Sequence, residues 1–204
     1  MKILITGGAG YIGSSLCEYL LKNNHKVTVL DTFMFSNSSL NSYMSNKNFS
    51  VYQEDVRNIN SIKKYLSEND VIVPLACLVG APLCNLKEEE ATQVNFQSIK
   101  GMINNLSKDQ YVIYPTTNSG YGVGEKDKFC TEDSPLNPIS LYGKTKFRIE
   151  QYCLKNDITI IRPGLIFGDI VDKKLNLLSS IIKFLPFLIY FHHPKKYIHF
   201  VFID

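Results

Sequence analysis

The hydrophobic pattern near the amino terminus changes from a short continuous run to a helical period. Ile3, Leu4 and Ile5 are consecutive apolar residues that end at once in glycines, a pattern typical of a strand buried on both faces. After the glycines, apolar residues return at the spacing of one helix face, as Leu16, Cys17, Leu20 and Leu21. The stretch therefore predicts a strand, a tight glycine turn and a helix, in that order.

Short apolar runs and amphipathic segments continue to alternate as far as residue 161. Further strands are predicted at 26–30, 49–53, 70–76, 111–115 and 158–161. Helices are predicted at 59–67, 87–106 and 142–154, and the polar stretch 32–47 is predicted as a loop with at most one short helix. Strands that alternate with helices in this way indicate an α/β fold with a doubly wound parallel sheet.

The glycines of the first turn are spaced as Gly7-x-x-Gly10-x-x-Gly13. In such a turn, glycines allow a tight bend, a close approach of the backbone to a phosphate, and packing of the helix on the strand. Asp31 ends the second predicted strand, where a carboxylate can bind a ribose 2′-hydroxyl and repels a 2′-phosphate. We therefore predict a dinucleotide site that takes NAD rather than NADP; the alternative is an ordinary strand-to-helix turn.

The composition of the 204-residue chain excludes several functional classes. A formal net charge of +3 without a long Lys or Arg cluster gives no indication of nucleic-acid binding. No signal peptide is predicted, and Lys183 and Pro186 interrupt the apolar stretch 177–191, so we expect a cytoplasmic protein without a membrane span. The cysteines show no metal-ligand spacing and no disulfide framework, so we expect no metal site. They are Cys17, Cys77, Cys84, Cys130 and Cys153.

Candidate catalytic residues follow the fifth predicted strand. Thr117 lies in the polar turn after this strand, and Tyr142 and Lys146 are four residues apart on a predicted helix. At that spacing two side chains share one helix face, about 5–6 Å apart. The ammonium is then expected to lower the pKa of the tyrosine hydroxyl. Taken separately, the alternatives are turn chemistry for the threonine and a surface Tyr–Lys pair.

Together, the glycine turn after Thr6, the Thr117 turn and Tyr142-x-x-x-Lys146 resemble the extended short-chain dehydrogenase/reductase family, which includes nucleotide-sugar epimerases and dehydratases. The resemblance covers about residues 1–168 and implies Thr117, Tyr142 and Lys146 as the catalytic residues. It implies a cofactor site formed by Gly7, Gly10, Tyr11, Ile12, Gly13, Asp31, Asp55, Val56, Leu75, Ala76, Cys77, Asn95, Tyr142, Lys146 and Pro163.

Three of these assignments have a structural alternative. Asp55, with Val56, is implied to contact the adenine, and its alternative role is to cap the helix that begins near Asn58. Asn95 is implied to bond backbone near the active site, and its alternative is a structural amide within the helix core. Cys77 belongs to a small-residue loop beneath the cofactor, where a buried apolar role is favoured over that of a nucleophile.

The resemblance implies a nucleotide-sugar epimerase, or alternatively a 4-keto-sugar reductase. In either, Tyr142 takes the proton of a sugar hydroxyl while the hydride passes to NAD, Thr117 hydrogen-bonds the same oxygen, and Lys146 holds the cofactor ribose. A dehydratase of this family needs an acid pair after the threonine; Asn118 and Ser119 stand there instead, which disfavours dehydration. A dinucleotide-binding protein without turnover is the rival from another functional class.

The resemblance also predicts how the chain is divided. We expect an NAD-binding domain at 1–168, and at 169–204 the start of a substrate lobe that is incomplete. The substrate is expected to be a nucleotide sugar. Because members of the family often dimerise through two helices, the segments 87–106 and 139–154 predict a possible homodimer interface.

Overall fold

One parallel sheet forms the centre of the protein. The computed structural model describes residues 1–35, 38–124, 130–131 and 133–163, and the backbone of 165–168 and 200–203. The sheet strands are β1 (Lys2–Thr6), β2 (Lys26–Asp31), β3 (Phe49–Gln53), β4 (Val71–Pro74), β5 (Tyr111–Pro115) and β6 (Thr159–Ile161). Their order is β3-β2-β1-β4-β5-β6, with every neighbouring pair parallel, so the predicted doubly wound sheet is confirmed. A separate parallel pair consists of β7 (Leu165–Gly168) and β8 (Phe200–Ile203).

Helices connect the strands of the main sheet. They are α1 (Tyr11–Lys22), α2 (Ile59–Ser67), α3 (Ala81–Leu86), α4 (Glu88–Thr92), α5 (Ser98–Ile103) and α6 (Leu141–Lys155). A π-helical turn, Gln93–Gln97, joins α4 to α5, so the predicted helix 87–106 is one helical segment that ends at Ile103. The short helix predicted as possible in the loop 32–47 is a 3₁₀ turn at Asn41–Tyr43. Helix α3 is not predicted from the hydrophobic pattern.

Alternate residues of the central strands pack into different cores on the two faces of the sheet. Leu4, Leu30 and Ile72 belong to the core beneath α2, α4, α5 and α6. The other core contains Cys17 and Leu21 of α1 and the apolar residues that alternate with the first set along the same strands. These strand residues are Ile3, Ile5, Val27, Val29, Val71 and Val73. The period of two along each strand explains why these runs are continuously apolar: both faces of the strand are covered.

The sheet reverses its direction of growth at β1. From β1 the chain proceeds through β2 to β3 on one side, and then returns to β4, β5 and β6 on the other side. In doubly wound sheets, ligands bind outside the carboxyl ends of the strands at such a reversal. The fold therefore predicts a ligand site beside the residues that follow β1 and β4.

Some predictions concern parts of the chain that the structure does not describe. The apolar stretch 177–191 and most of the predicted unit 169–204 lie outside the described residues. The division at residue 168 and the homodimer interface stay predictions. Among the helices of the described ranges, none has the combination of length and apolar content that crossing a bilayer requires.

Burial of Cys17 gives a testable pH dependence of stability. The side chain is fully buried on α1, and burial raises the pKa of its thiol to about 12. A group whose pKa is higher in the folded than in the unfolded chain contributes stability below its unfolded pKa, and loses it as the pH rises toward the folded value. Between about pH 8 and about pH 10, the unfolding free energy of the unmodified chain should fall by about 2 kcal/mol more than that of Cys17→Ala.

Urea denaturation at each pH measures this difference. Cys17→Ala also removes a buried sulfur and lowers stability at every pH, but that loss is a constant offset between the two proteins. Parallel pH profiles for the two proteins would contradict the prediction.

Candidate active site

A cleft of about 640 Å³ opens at the carboxyl ends of the sheet strands. Residues that end or directly follow β1, β2, β4, β5 and β6 line it, namely Gly7, Asp31, Leu75, Pro115 and Pro163. Every residue of the predicted catalytic and cofactor set lines this cleft except Asn95. The structure therefore brings together residues from Gly7 to Pro163 that are far apart in the sequence.

The glycine turn lets the backbone of the first loop pass close to its neighbours. Gly7 has a φ of +73°, in the left-handed region, and a Cβ there would lie 2.6 Å from the backbone nitrogen of Ala76. A Cβ on Gly13 would lie 2.6 Å from the carbonyl oxygen of Gly7, so Gly13 allows α1 to pack on the turn. A Cβ on Gly10 would meet one atom within 4 Å among the described residues, the Gly7 oxygen at 3.2 Å. The space beside Gly10 is otherwise open.

The first helix and Asp31 present complementary groups to the cleft. No side chain caps the amino terminus of α1, and no acidic residue lies in its first turn, so the helix dipole favours an anion there. Asp31 accepts the Ala9 N–H at 2.9 Å on one carboxylate oxygen and the Phe33 N–H at 2.8 Å on the other. These bonds fix the carboxylate on the cleft wall, and its remaining lone pairs can accept hydroxyl groups of a ribose.

Asp55 forms an ion pair with Arg57, a residue outside the predicted site. Arg57 Nε lies 3.0 Å from Asp55 Oδ1 and its Nη2 lies 2.5 Å from Oδ2, and these hydrogen bonds lower the pKa of the carboxyl. Arg57 also lies 3.8 Å from Glu90, and all three residues line the cleft. The alternative that Asp55 caps α2 is wrong, because Asn58 is the cap and accepts the Ser61 N–H at 3.3 Å.

Asn95 does not line the cleft but holds the backbone of a residue that does. It is fully buried in the π-helical turn; its Oδ1 accepts the Leu78 N–H at 2.8 Å and its Nδ2 donates to the Leu78 carbonyl at 2.9 Å. Both backbone groups of Leu78, which lines the cleft, are thereby fixed. The thiols of Cys77 and Cys84 donate to the same Leu78 carbonyl, and burial raises the pKa of both, which disfavours the thiolate that a nucleophile requires.

Thr117 begins the 3₁₀ turn Asn118–Tyr121 that follows β5. Its hydroxyl accepts the Ser119 N–H at 3.2 Å and lies 3.1 Å from the Ser119 hydroxyl, so the side chain is held by its own turn. The Thr117 hydroxyl also acts to lower the pKa of Tyr142. Turn chemistry and proximity to the candidate base are therefore both present at Thr117.

Burial and the neighbouring ammonium act on the pKa of Tyr142 in opposite directions. Tyr142 lies in the first turn of α6, whose cap Ser140 accepts the Gly143 N–H at 3.0 Å. Burial raises the pKa of the Tyr142 hydroxyl above its ordinary value, while the Lys146 charge and the Thr117 hydroxyl act to lower it. The lowering expected from Lys146 is therefore present, but desolvation of the hydroxyl outweighs it.

A buried ion pair includes the residue one turn beyond the candidate catalytic pair on the same helix. Glu150 lies one turn beyond Lys146, is 2% exposed, and accepts hydrogen bonds from Arg162 Nε at 3.0 Å and Nη2 at 2.7 Å. Arg162 also donates to the hydroxyl of Tyr121 at 3.3 Å, in the turn that Thr117 begins. The pair thus ties α6 to the residue before Pro163. The repeated spacing of four from Tyr142 is the signal in the sequence that marks Glu150 as lying on the buried face of the helix.

Comparison with known proteins identifies the family. A sequence model described as the NAD-dependent epimerase/dehydratase family matches residues 3–183. The chain belongs to this family. Membership confirms the predicted enzyme class and NAD as the cofactor of the family.

Individual relatives agree with this membership. The chain is 31% identical to the UDP-N-acetyl-alpha-D-glucosaminuronate decarboxylase of Bacillus cytotoxicus, over 71% of this chain and 43% of that protein. It is 30% identical to the UDP-glucose 4-epimerase of Lactobacillus helveticus, over 74% of this chain and 46% of that protein. The UDP-glucuronic acid 4-epimerase of Bacillus cereus, solved with UDP-glucuronic acid and NAD, is 32% identical, with a TM-score of 0.73 over 82% of this chain and 58% of that one. The chain spans about half the length of the curated relatives it matches.

The two glycines of the turn should respond differently to the same substitution. Gly7→Ala places a Cβ at positive φ and against the Ala76 backbone, so we expect a loss of about 2 kcal/mol or more of unfolding free energy. Gly10→Ala introduces no such clash, so its cost in stability should stay below about 1 kcal/mol, but its methyl narrows the open space and should weaken NAD binding about tenfold or more.

Urea denaturation and calorimetric titration with NAD measure the two effects. Each variant serves as the control for the other, since both add one methyl group to the same turn. Equal stability losses, or unchanged NAD affinity in Gly10→Ala, would contradict this account of the turn.

Proposed function

We propose that the chain is the NAD-binding and catalytic part of a nucleotide-sugar epimerase. The observation that carries the proposal is the arrangement of one cleft: the glycine turn and Asp31 at one end, and Thr117, Tyr142 and Lys146 at the other. The first group suits the adenosine half of a dinucleotide, and the second suits hydride and proton transfer at a sugar hydroxyl.

The residues present fit NAD. The open space beside Gly10 and the uncapped α1 terminus would hold the pyrophosphate, and Asp31 would hold the adenosine ribose. Cys77 and Pro163 would flank the nicotinamide end of the cleft. When bound there, NAD supplies a carbon that accepts a hydride and can return it.

The proton chemistry belongs to the chain itself. Tyr142, once deprotonated, takes the proton of the sugar hydroxyl as the carbon beneath it gives up a hydride. Thr117 donates a hydrogen bond to the same oxygen, and the Lys146 charge stabilises the tyrosinate. In the reverse direction Tyr142 returns the proton to the ketone oxygen, so an epimerase needs no further acid or base.

The charges along the cleft favour epimerisation over elimination of water. Among the described lining residues, the carboxylates are Asp31, Glu54, Asp55 and Glu90, and these cluster at the adenosine end. Asn118 and Ser119 follow Thr117, so neither neighbouring side chain supplies the acid that a dehydratase uses. The similarity to UDP-glucose and UDP-glucuronic acid 4-epimerases supports a UDP-hexose as the substrate class.

A panel of UDP-sugars tests the proposal. Incubation with catalytic NAD should convert one sugar into its epimer, detected by chromatography, with no net change in NADH. Consumption of one NADH per product would instead favour the 4-keto-sugar reductase. NAD binding with no conversion of any sugar would favour a binding protein without turnover.

Asp31 should set the preference for NAD over NADP. We expect NAD to bind at least about tenfold more tightly than NADP, because the carboxylate bonds a 2′-hydroxyl and repels a 2′-phosphate. Asp31→Asn removes the charge that repels a 2′-phosphate and weakens the acceptor for the ribose hydroxyl. The preference for NAD over NADP should therefore fall several-fold in calorimetric titrations. Asp70→Asn is the matched control, since Asp70 accepts the Lys2 N–H at 2.8 Å at the opposite edge of the sheet. Tighter binding of NADP by the unmodified chain would overturn the assignment.

Tyr142 and Thr117 should affect turnover in different ways. Tyr142→Phe should lower kcat by about 100-fold or more while leaving NAD affinity nearly unchanged, because only the base is removed. Thr117→Val removes a hydroxyl that acts to lower the Tyr142 pKa, so the acidic limb of the kcat profile should move to higher pH by about half a unit. A Tyr142→Phe protein with a normal rate, or a limb that moves to lower pH in Thr117→Val, would contradict these roles.

A further inference from the structure

Lys146 is a charged residue that lies almost entirely inside the protein. Its side chain is 4% exposed. Its ammonium nitrogen donates to the hydroxyl of Tyr114 at 2.9 Å and to the carbonyl of Pro115 at 3.1 Å, both on β5. The same nitrogen lies 4.6 Å from the centroid of the Tyr114 ring. A buried charge requires partners of this kind, so the contacts with β5 stabilise the ammonium at this depth.

Tyr114 is a suitable partner because it does not cancel the charge that it holds. It is fully buried and packs in the same core as Ile149 and Cys153 of α6. Burial raises the pKa of its hydroxyl well above the ordinary value, so it stays neutral. A neutral acceptor orients an ammonium and leaves its electrostatic effect on other groups intact, whereas a carboxylate in the same place would neutralise it.

We propose that Tyr114 is a positioning residue of the active site, whose hydroxyl holds the Lys146 ammonium where it acts on Tyr142 and on the bound cofactor. This inference deepens the proposed function and rests on it for the role of Lys146. An ammonium has three N–H donors. With two of them directed to Tyr114 and Pro115, the long lysine side chain is confined on the β5 side of the cleft.

The other groups around this ammonium are neutral or already paired. Among the described residues, Cys77 in the loop after β4, Cys84 of α3 and Cys153 of α6 interact with its charge. Burial raises the pKa of each of these thiols and of Tyr142. The carboxylate on this side, Glu150, is paired with Arg162. A change in pH dependence after removal of the Tyr114 hydroxyl therefore reports on the Lys146–Tyr142 pair.

Tyr114→Phe tests the proposal because it removes one oxygen and keeps the ring. The first measurement is nuclear magnetic resonance of the protein isotopically labelled at lysine Nζ, where the Lys146 signal is the one lost in Lys146→Met. Loss of an acceptor leaves one N–H of the buried ammonium without its partner on Tyr114, so the Lys146 Nζ signal should shift and its protons should exchange several-fold faster.

The second measurement is the pH profile of sugar-nucleotide turnover. With the ammonium less well held, the Tyr142 pKa rises, so the acidic limb should move to higher pH by about half to one unit. The rate near neutral pH should fall about three- to tenfold and recover at higher pH. Tyr65→Phe is the matched control, since Tyr65 is a buried tyrosine on α2 outside the cleft.

The two measurements separate this proposal from the function on which it rests. If no sugar nucleotide is turned over, the epimerase assignment fails, and the Nζ signal still decides whether Tyr114 holds Lys146. An unchanged Lys146 Nζ signal and proton-exchange rate in Tyr114→Phe would overturn the positioning role. An equal shift of the pH profile in Tyr65→Phe would overturn it as well, because a general loss of packing would then explain the effect.

Discussion

The close passage of the loop after β1 against the loop after β4 is the constraint on which the rest of the site depends. Gly7 lies so near the backbone of Leu75 and Ala76 that a Cβ would come within 2.9 Å of three of their atoms. β1 and β4 are neighbours at the point where the sheet reverses, and their loops together form the floor of the cleft. Because the two loops are in contact, the helix that follows β1 and the catalytic residues that follow β5 face the same space.

The two ends of the cleft differ in the solvation and hydrogen bonding of their titratable groups. At the Asp31 end, carboxylates are held by backbone N–H groups and by Arg57, in hydrogen-bonded and partly solvated surroundings. At the Tyr142 end, the titratable groups are buried, and desolvation raises the pKa of Tyr142 and Cys77 despite the nearby ammonium. A buried lysine held by neutral acceptors therefore supplies positive charge near Tyr142, where the proposed mechanism requires a tyrosinate.

Local patterns predict much of the fold and most of the lining of the site. Continuous apolar runs mark the buried strands, since alternate residues such as Leu4 and Ile5 serve different cores. The glycine turn, the strand-end Asp31 and the Tyr142-x-x-x-Lys146 spacing are each confined to a few residues of sequence, so each can be recognised without a structure.

Contacts between distant segments are what local patterns miss. The bonds from Arg162 to Glu150 and from Lys146 to Tyr114 depend on how helices dock on the sheet, and nothing in the spacing predicts them. The opposing effect of burial on the Tyr142 pKa is missed for the same reason: the charge of a neighbour four residues away can be read from the sequence, but the depth of burial cannot. Helix α3 is short and gains its position from packing over the cleft rather than from its own periodicity.

A crystal structure of the 204-residue chain with NAD tests the central claim most directly. The account predicts that the pyrophosphate lies beside Gly10 at the α1 terminus, that the adenosine ribose bonds Asp31, and that the nicotinamide reaches the Tyr142 end of the cleft. NAD bound elsewhere, or bound with its nicotinamide turned away from Tyr142, would contradict the assignment of this cleft as the site of hydride transfer.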